Sequence, residues 1–242
     1  MLTVKRLFTS ILLATPLVAQ AAPTIYAQAS KGSFNDAALH QLLQKKPELK
    51  ANIIFSGTPL NTYMQAEKHD GVAFTAIANS TIKGKLVSAT VKAIEQYKVT
   101  KPIAFITTPI DMCAFMNKQD VKEKLPVKAI ASHPAALAEV SEWNKNLKAT
   151  EIAVPQGTAY AAKEVSLHKL PQGTAAVGSC VLNEIYPNLV KIGTNIQDNK
   201  SNRTSFMLTE LSKRAQPISE SQAKVELQQI IKTEKNNNKD II

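Results

Sequence analysis

Short apolar runs, each followed by an amphipathic helical stretch, recur along most of this 242-residue chain. No other feature limits its fold as strongly. Runs of that kind bounded by turns suit strands covered on both faces, and strands that alternate with helices assemble into open, mostly parallel sheets with helices on either side. Strands are predicted over 24–28, 52–55, 71–76 and 102–107, then over 127–131, 150–154, 174–177, 189–192 and 205–208. Helices are predicted over 34–43, 60–68, 84–97, 132–147 and 158–165, with another ending at Ile185 and a last one over 219–231. Ser132 is placed to cap its helix with Pro134 in the first turn. Ser219 and Gln222 have capping-box spacing. The Asn-rich tail over 236–240 is expected to be disordered. The break over 107–117 suggests that the chain crosses into a second lobe there and returns near Ile192, leaving a ligand cleft between the lobes.

The N-terminus predicts export. Lys5 and Arg6 precede an apolar run over 7–18, and Ala19-Gln20-Ala21 has the small-x-small form of a cleavage site. Residues 1–21 therefore read as a secretory signal peptide with cleavage after Ala21, too short in its apolar part to span a bilayer. A periplasmic or secreted protein with no membrane attachment after cleavage is expected. Removing Lys5 and Arg6 leaves 27 basic and 19 acidic residues, a net +8. The lysines are scattered and aromatics are sparse, unlike the concentrated basic face of a nucleic-acid binder. The surplus suits solvation and attraction of a small anion.

Cys113 and Cys180 form an even pair, which an oxidising compartment allows to bond. Their apolar surroundings suit buried free thiols equally well, and the sequence leaves both open. His40, His69, His133 and His168 have no metal-ligand spacing with one another or with either Cys, so no metal is expected. His133, between a cap and Pro134, reads as a turn-shaping residue. No dinucleotide fingerprint, phosphate loop or nucleophile elbow occurs, and no cofactor is expected.

Three loops suit an anion at a strand end or helix start. They are Lys31-Gly32-Ser33-Phe34-Asn35, Ala78-Asn79-Ser80-Thr81 and Gln156-Gly157-Thr158-Ala159. Each is also an ordinary capping sequence. What raises them together is a fourth segment, Asn195 to Leu208, a polar turn entering a strand with Thr204 near its mouth.

These segments resemble the catalytic domain of prephenate dehydratase. That family's Gly-Thr-Phe-Ser turn is matched by Gly32-Ser33-Phe34-Asn35, and its Glu-Asn-Ser by Ala78-Asn79-Ser80 with Gly84 beyond. Its Ser-His-Pro-x-Ala-Leu-Ala helix start is matched by Ser132-His133-Pro134-Ala135-Ala136-Leu137-Ala138, and its Ser-Thr-Ala by Gly157-Thr158-Ala159. Gly173-Thr174-Ala175-Ala176-Val177 and Asn195-Ile196-Gln197-Asp198-Asn199 are also similar to it. Its Asn-x-Thr-Arg-Phe signature is matched by Asn202-Arg203-Thr204-Ser205-Phe206. The resemblance runs from about Ile25 to Leu208.

The resemblance implies a two-lobed α/β fold of the type II periplasmic-binding-protein kind, with a mostly parallel sheet in each lobe and an interlobe cleft. The domain would occupy 22–211, with one lobe over about 24–105 and 192–211 and the other over about 106–191; residues 212–242 would add a helix and a tail. It implies loss of CO2 and water from prephenate to give phenylpyruvate. Thr204 would be the catalytic hydroxyl, and Asn79, Ser80, Thr158, Ser33, Arg203, Ser205 and Phe206 would bind the anionic substrate. A homodimer is expected on the resemblance alone. The segment after Leu211 is too short for the family's usual phenylalanine-sensing domain, so such feedback is not expected.

Four departures fall on this cleft. The family's Arg after the catalytic Thr is Ser205, its Glu is Ala78, its Gly-Pro before the first turn is Ala29-Ser30, and Gly157 stands in place of Ser. Losing an Arg fork for a carboxylate is costly. Arg203 shares the side of Ser205 in a strand, about 6.6 Å away, and is a candidate replacement. Two functions follow. An exported dehydratase is favoured by the retained Thr204, Thr158, Asn79 and Ser80. A non-catalytic binder of a small anionic or aromatic solute is favoured by export, because prephenate is made in the cytoplasm.

Overall fold

The computed structural model describes residues 23–82 and 85–237. The signal peptide expected over 1–21 and the end of the tail, 238–242, lie outside the described residues, as does Gly84. Two five-stranded sheets make two lobes. The first holds β1 (Thr24–Ala27), β2 (Asn52–Phe55), β3 (Val72–Asn79), β4 (Tyr97–Pro109) and β10 (Arg203–Lys213) in the order β2-β1-β3-β10-β4. The second holds β5 (Met112–Asn117), β6 (Ala129–Ser132), β7 (Thr150–Ala153), β8 (Thr174–Ser179) and β9 (Leu189–Gly193) in the order β7-β6-β8-β5-β9.

Both sheets are mixed in a specific way. β1 pairs parallel to β2 and β3, and β6 parallel to β7 and β8. β10 is antiparallel to β3 and β4, and β5 is antiparallel to β8 and β9. Each sheet thus has four strands running one way and one reversed strand, which is the strand that arrives from the other lobe. β10 is inserted between β3 and β4, so its first residues lie beside the last residues of both. This places Thr204 opposite Asn79 on one side and Thr108 on the other.

The helices are α1 (Phe34–Lys45), α2 (Pro59–Lys68), α3 (Ser88–Gln96), α4 (Lys118–Lys122), α5 (Pro134–Ala138), α6 (Ser141–Leu147), α7 (Thr158–Ser166), α8 (Leu182–Ile185) and α9 (Glu220–Asn237). They bury four apolar clusters, one on each face of each sheet. In the first lobe α1 covers Ile25, Phe74 and Phe206 on one face, with Phe74 and Phe206 stacked at 5.5 Å. α2, α3 and α9 cover Tyr26, Ile77 and Met207 on the other. In the second lobe the faces are closed by α5 with Val140 and by α7 with Leu182. A sheet closed on both faces explains why its strands read as continuous apolar runs.

Several boundaries differ from the sequence reading. The segment taken as a break contains β5, all six residues of which are buried; Pro109 and Asp111 hide it by flanking it with turn chemistry. The third helix starts at Ser88, and Tyr97 already begins β4 because the long antiparallel ladder with β10 extends to Lys213. The helix predicted over 132–147 is two, α5 and α6, broken where Val140 leaves the helical region at φ −127° and ψ 24°. The last helix runs to Asn237, so Asn236 and Asn237 are helical rather than a disordered tail. Ala223, Leu227 and Ile231 anchor it on the first lobe, and that burial overrides the Asn-rich composition. The crossings lie between Pro109 and Met112 and between Gly193 and Arg203.

Candidate functional site

A cavity of about 670 Å³ opens between the lobes at the ends of β3 and β6 and the beginning of β10. That position, beyond the carboxyl ends of the like-directed strands, is where open α/β sheets hold ligands. The first lobe contributes Ser33 from the start of α1, Asn79 from the end of β3, and Asn202, Thr204 and Phe206 from the β10 segment. The second contributes Met112, His133, Glu139 and the start of α7 at Gly157, Thr158 and Ala159.

A bulge in β3 makes the first wall. The register against β10 shifts so that Phe206 faces Ala76 while Ser205 faces Ala78, leaving Ile77 as an extra residue. Ile77 and Ala78 both enter the core on one side, and Ala76 and Asn79 both reach the cavity on the other. In a regular strand residues three apart face opposite sides, so the bulge aims Asn79 at the site.

The orientation of the Asn79 amide is fixed. Its Oδ1 accepts from the backbone N–H of Thr81 at 2.8 Å, a group that only donates. The Thr81 hydroxyl also donates to Oδ1. Nδ2 must therefore be the atom facing Asn202 and Thr204, donating to Asn202 Oδ1 at 2.9 Å and to Thr204 Oγ1 at 2.8 Å. Thr204 is 7% exposed. Its oxygen accepts this bond, and its own proton has no acceptor among the described residues. A hydroxyl that accepts from an amide is polarised as a donor, and here that donor lines the cavity.

The remaining expected residues divide. Ser33 lines the cavity as the N-cap of α1, accepting from Asp36 N at 3.2 Å, while Asp36 Oδ2 accepts from Gly32 N at 2.7 Å. Gly32 has φ +83°, and a Cβ there would lie 2.9 Å from Leu182 Cδ2, so only glycine lets this turn approach the second lobe. Thr158 lines the cavity at the first turn of α7, which has no side-chain cap. It sits against Gly178, where a Cβ would come within 3.1 Å of Thr158 Cβ. Phe206 forms part of the cavity wall.

Ser80, Arg203 and Ser205 do not line the cavity, which corrects the sequence reading. Ser80 Oγ accepts from Arg203 N at 2.9 Å and donates to Ser201 O at 3.4 Å, clasping the end of β3 to the start of β10. Ser205 is fully buried, and its hydroxyl shares a hydrogen bond with Thr107 Oγ1 at 2.7 Å. Arg203 shares the side of Ser205, as strand alternation requires, so it faces away from Thr204 and does not replace the missing fork. Ala78 is likewise in the core rather than at the site.

Sequence reasoning missed Gln28 and Glu139 and gave His133 only its turn role. His133 does cap α5, its Nδ1 accepting from Ala135 N at 3.2 Å, but it also lines the cavity. Gln28 accepts from Ala76 N at 3.0 Å beside the bulge. The signal for His133 was its place after β6, at a strand end facing the crossing; nothing marked Glu139. Among the described residues, no lysine or arginine lines the cavity, no group of three His, Cys, Asp or Glu is placed to hold a metal, and no helix is long and apolar enough to cross a membrane. Cys113 and Cys180 are bonded, joining the start of β5 to the residue after β8.

Two α/β lobes joined by two crossings around an interlobe cavity define a type II periplasmic-binding-protein-like fold. Within it, the prephenate dehydratase family profile matches residues 25–214, and the chain belongs to that family. It is similar to a prephenate dehydratase from Arthrobacter aurescens in complex with L-Phe, at 20% identity and TM-score 0.63 over 81% of this chain and 60% of that one. It is also similar to the prephenate dehydratase of Staphylococcus aureus subsp. aureus Mu50, at 19% identity and TM-score 0.58 over 80% and 68% of the two chains. A third similar structure is GqqA, described as a novel type of quorum quenching acylase, at 20% identity and TM-score 0.58 over 81% and 66%. At these identities the likeness speaks to fold. No curated protein matches the chain.

Proposed function

We propose that this chain is an exported lyase of the prephenate dehydratase type, with Thr204 as the acid. The observation that carries the reading is the bond from Asn79 Nδ2 to Thr204 Oγ1, which leaves the threonine proton for a ligand in the cavity. In the reaction the bond from the ring carbon to its carboxylate breaks and CO2 departs. That electron pair enters the ring, the ring C–O bond breaks, and the departing hydroxide takes the Thr204 proton to leave as water. The threonine oxygen is reprotonated from solvent. A neutral hydroxyl is a weak acid, so its contribution depends on positioning and aligned dipoles. The signal sequence over 1–21 and the Cys113–Cys180 bond support an oxidising compartment.

The test is to mix purified mature protein with prephenate near neutral pH and follow phenylpyruvate by absorbance. Turnover is expected, reduced at least roughly a hundred-fold in Thr204→Val, which keeps shape and removes the proton. Thr204→Val turning over at the wild-type rate would refute the assignment.

A second reading, a non-catalytic binder of a small solute on the same fold, is favoured by the charge of the cavity. Its ionisable lining groups among the described residues are Glu139 and His133, with no guanidinium or ammonium to match a dianion. No turnover, together with ligand-dependent thermal stabilisation, would select it.

A further inference from the structure

We infer that the first lobe carries a second binding site, on the far side of β3 from the cleft, for a soluble phosphate monoester with a short apolar chain. Its occupant steadies the turn that holds Asn79. The site stands independently of what the cleft binds or turns over.

A cavity of about 290 Å³ lies between the last turns of α9 and the turn that follows β3. α9 presents Gln228, Ile231, Lys232 and Lys235 to it, a stripe at the spacings of three and four that one helix face shares. Lys85 closes it from the turn, and Ala78, Leu86 and Ile231 make an apolar floor. The described lining thus holds three ammonium groups and no carboxylate. The ion pairs of α9 lie elsewhere, between Lys224 and Glu220 and between Glu226 and Arg214. Glu226 and Glu234 line a separate groove against β4. Uncompensated cations around one cavity repel one another, and a multiply charged anion relieves more of that repulsion than a single carboxylate does. The floor adds affinity for an anion whose head carries an alkyl chain.

The same turn is tied to the cleft through backbone bonds. Asn79 N donates to Lys85 O at 2.7 Å, Val87 N donates to Ile77 O at 3.0 Å, and Ala78 and Leu86 form an isolated antiparallel bridge. These bonds hold the turn against the bulged end of β3, from which the Asn79 side chain reaches Thr204. Lys85 has φ +65°, a conformation that costs a long side chain more than it costs Gly or Asn. A ligand gripped by Lys85 and α9 together stabilises that conformation, and with it the bond from Asn79 N to Lys85 O. α9 lies beyond the span 25–214 that the family profile matches, so half of this cavity is built by residues outside the shared domain.

The experiment titrates the mature protein with n-butyl phosphate and with inorganic phosphate by calorimetry at constant ionic strength, and follows hydrogen exchange at the Asn79 and Val87 amides. The variants are Lys232→Ala/Lys235→Ala and, to remove the same charge elsewhere, Lys118→Ala/Lys122→Ala at exposed positions of α4. Butyl phosphate is expected to bind wild type at least about three-fold more tightly than inorganic phosphate does. Its affinity is expected to fall at least about ten-fold in the α9 variant and to stay within about two-fold in the α4 variant. At saturation, exchange at both amides is expected to slow at least about three-fold in wild type and the α4 variant, and to stay unchanged in the α9 variant. Equal losses of affinity in the two variants, or a loss in neither, overturn the site. Affinity lost in the α9 variant alone, with exchange unmoved by the ligand, upholds the site and overturns its link to Asn79. Capture by phosphatidylglycerol vesicles that only the α9 variant escapes, without binding of butyl phosphate, overturns the soluble ligand in favour of a membrane surface.

Discussion

Reducing the Cys113–Cys180 bond tests the compartment and the architecture together. The bond closes a loop of 67 residues that holds four of the five strands of the second sheet in whole or part. In the chain-entropy account, opening a loop of that length returns about 15 cal/mol/K to the unfolded chain, or about 4 kcal/mol at 25 °C. For a protein of this size that corresponds to a fall in Tm of roughly 8 to 16 °C. The entropic figure is an upper value, because unfolded chains retain some structure and β5 is also held by β8 and β9.

The assay is thermal or denaturant unfolding of the mature protein with and without reductant, beside Cys113→Ala/Cys180→Ala. Wild type in reductant isolates the cross-link. The double alanine adds the cavity left by the buried Cys113 sulfur, so it is expected to be less stable than the reduced wild type. A Tm shift under about 2 °C on complete reduction would refute the reasoning. So would two titratable thiols in protein recovered from an oxidising compartment, since the exported lyase reading leans on that bond.

Asn79→Asp keeps the shape of the site but turns the donor into an acceptor, so Thr204 spends its proton on the new carboxylate. Turnover is expected to fall by at least about a hundred-fold with the fold retained, read as kcat beside Tm; full activity would show that Asn79 does not orient Thr204. Burial pushes the Tyr63 phenol up to about 12 from 10.0, with Glu226 adding to the rise and the Thr75 hydroxyl opposing it. The folded chain then keeps a proton that the unfolded chain releases. Its stabilising contribution is full below pH 10 and is lost as pH climbs from there toward 12, a change approaching about 2 to 3 kcal/mol. Tyr63→Phe is expected to flatten that alkaline slope, measured by denaturant unfolding across the range.

The alternation of strands and helices was legible because burial on both faces of a sheet leaves a nearly continuous apolar run, as in Ala73 to Ala78, where Thr75 is the one polar residue. The clustering of Thr204, Asn79, Thr158 and Ser33 was legible through the family resemblance, which carries spacing that no local pattern holds. The direction of Arg203 followed from alternation, but which side of β10 faces the cavity did not. It depends on where β10 is inserted, between β3 and β4, and that is a tertiary fact. The bulge at Ile77 was equally hidden, since an extra residue in a largely apolar strand buried on both faces leaves no gap in the pattern. Glu139 escaped notice because a carboxylate after a helix reads as solvated surface until Asp198, 59 positions later, folds back to fix it.

The two lobes divide the chemistry. Thr204, Asn79 and Asn202 stand on the first, while Thr158, His133 and Glu139 stand on the second. A ligand held against one lobe alone meets the Thr204 hydroxyl or the Glu139 carboxylate, and one that spans the cavity meets both. Asn202 sits where the lobes are joined: its carbonyl accepts from Ile110 N at 3.0 Å, tying the two crossings together, and its side chain accepts from Asn79 at 2.9 Å. The residue that joins the crossings thus also helps hold the amide that polarises Thr204. Asn79→Asp and Glu139→Gln should therefore separate in the kinetics. The first acts on the threonine proton once the ligand is seated and lowers kcat, and the second changes the charge of the opposite wall and shifts KM. A cleft in which both substitutions moved the same constant would not be divided in this way.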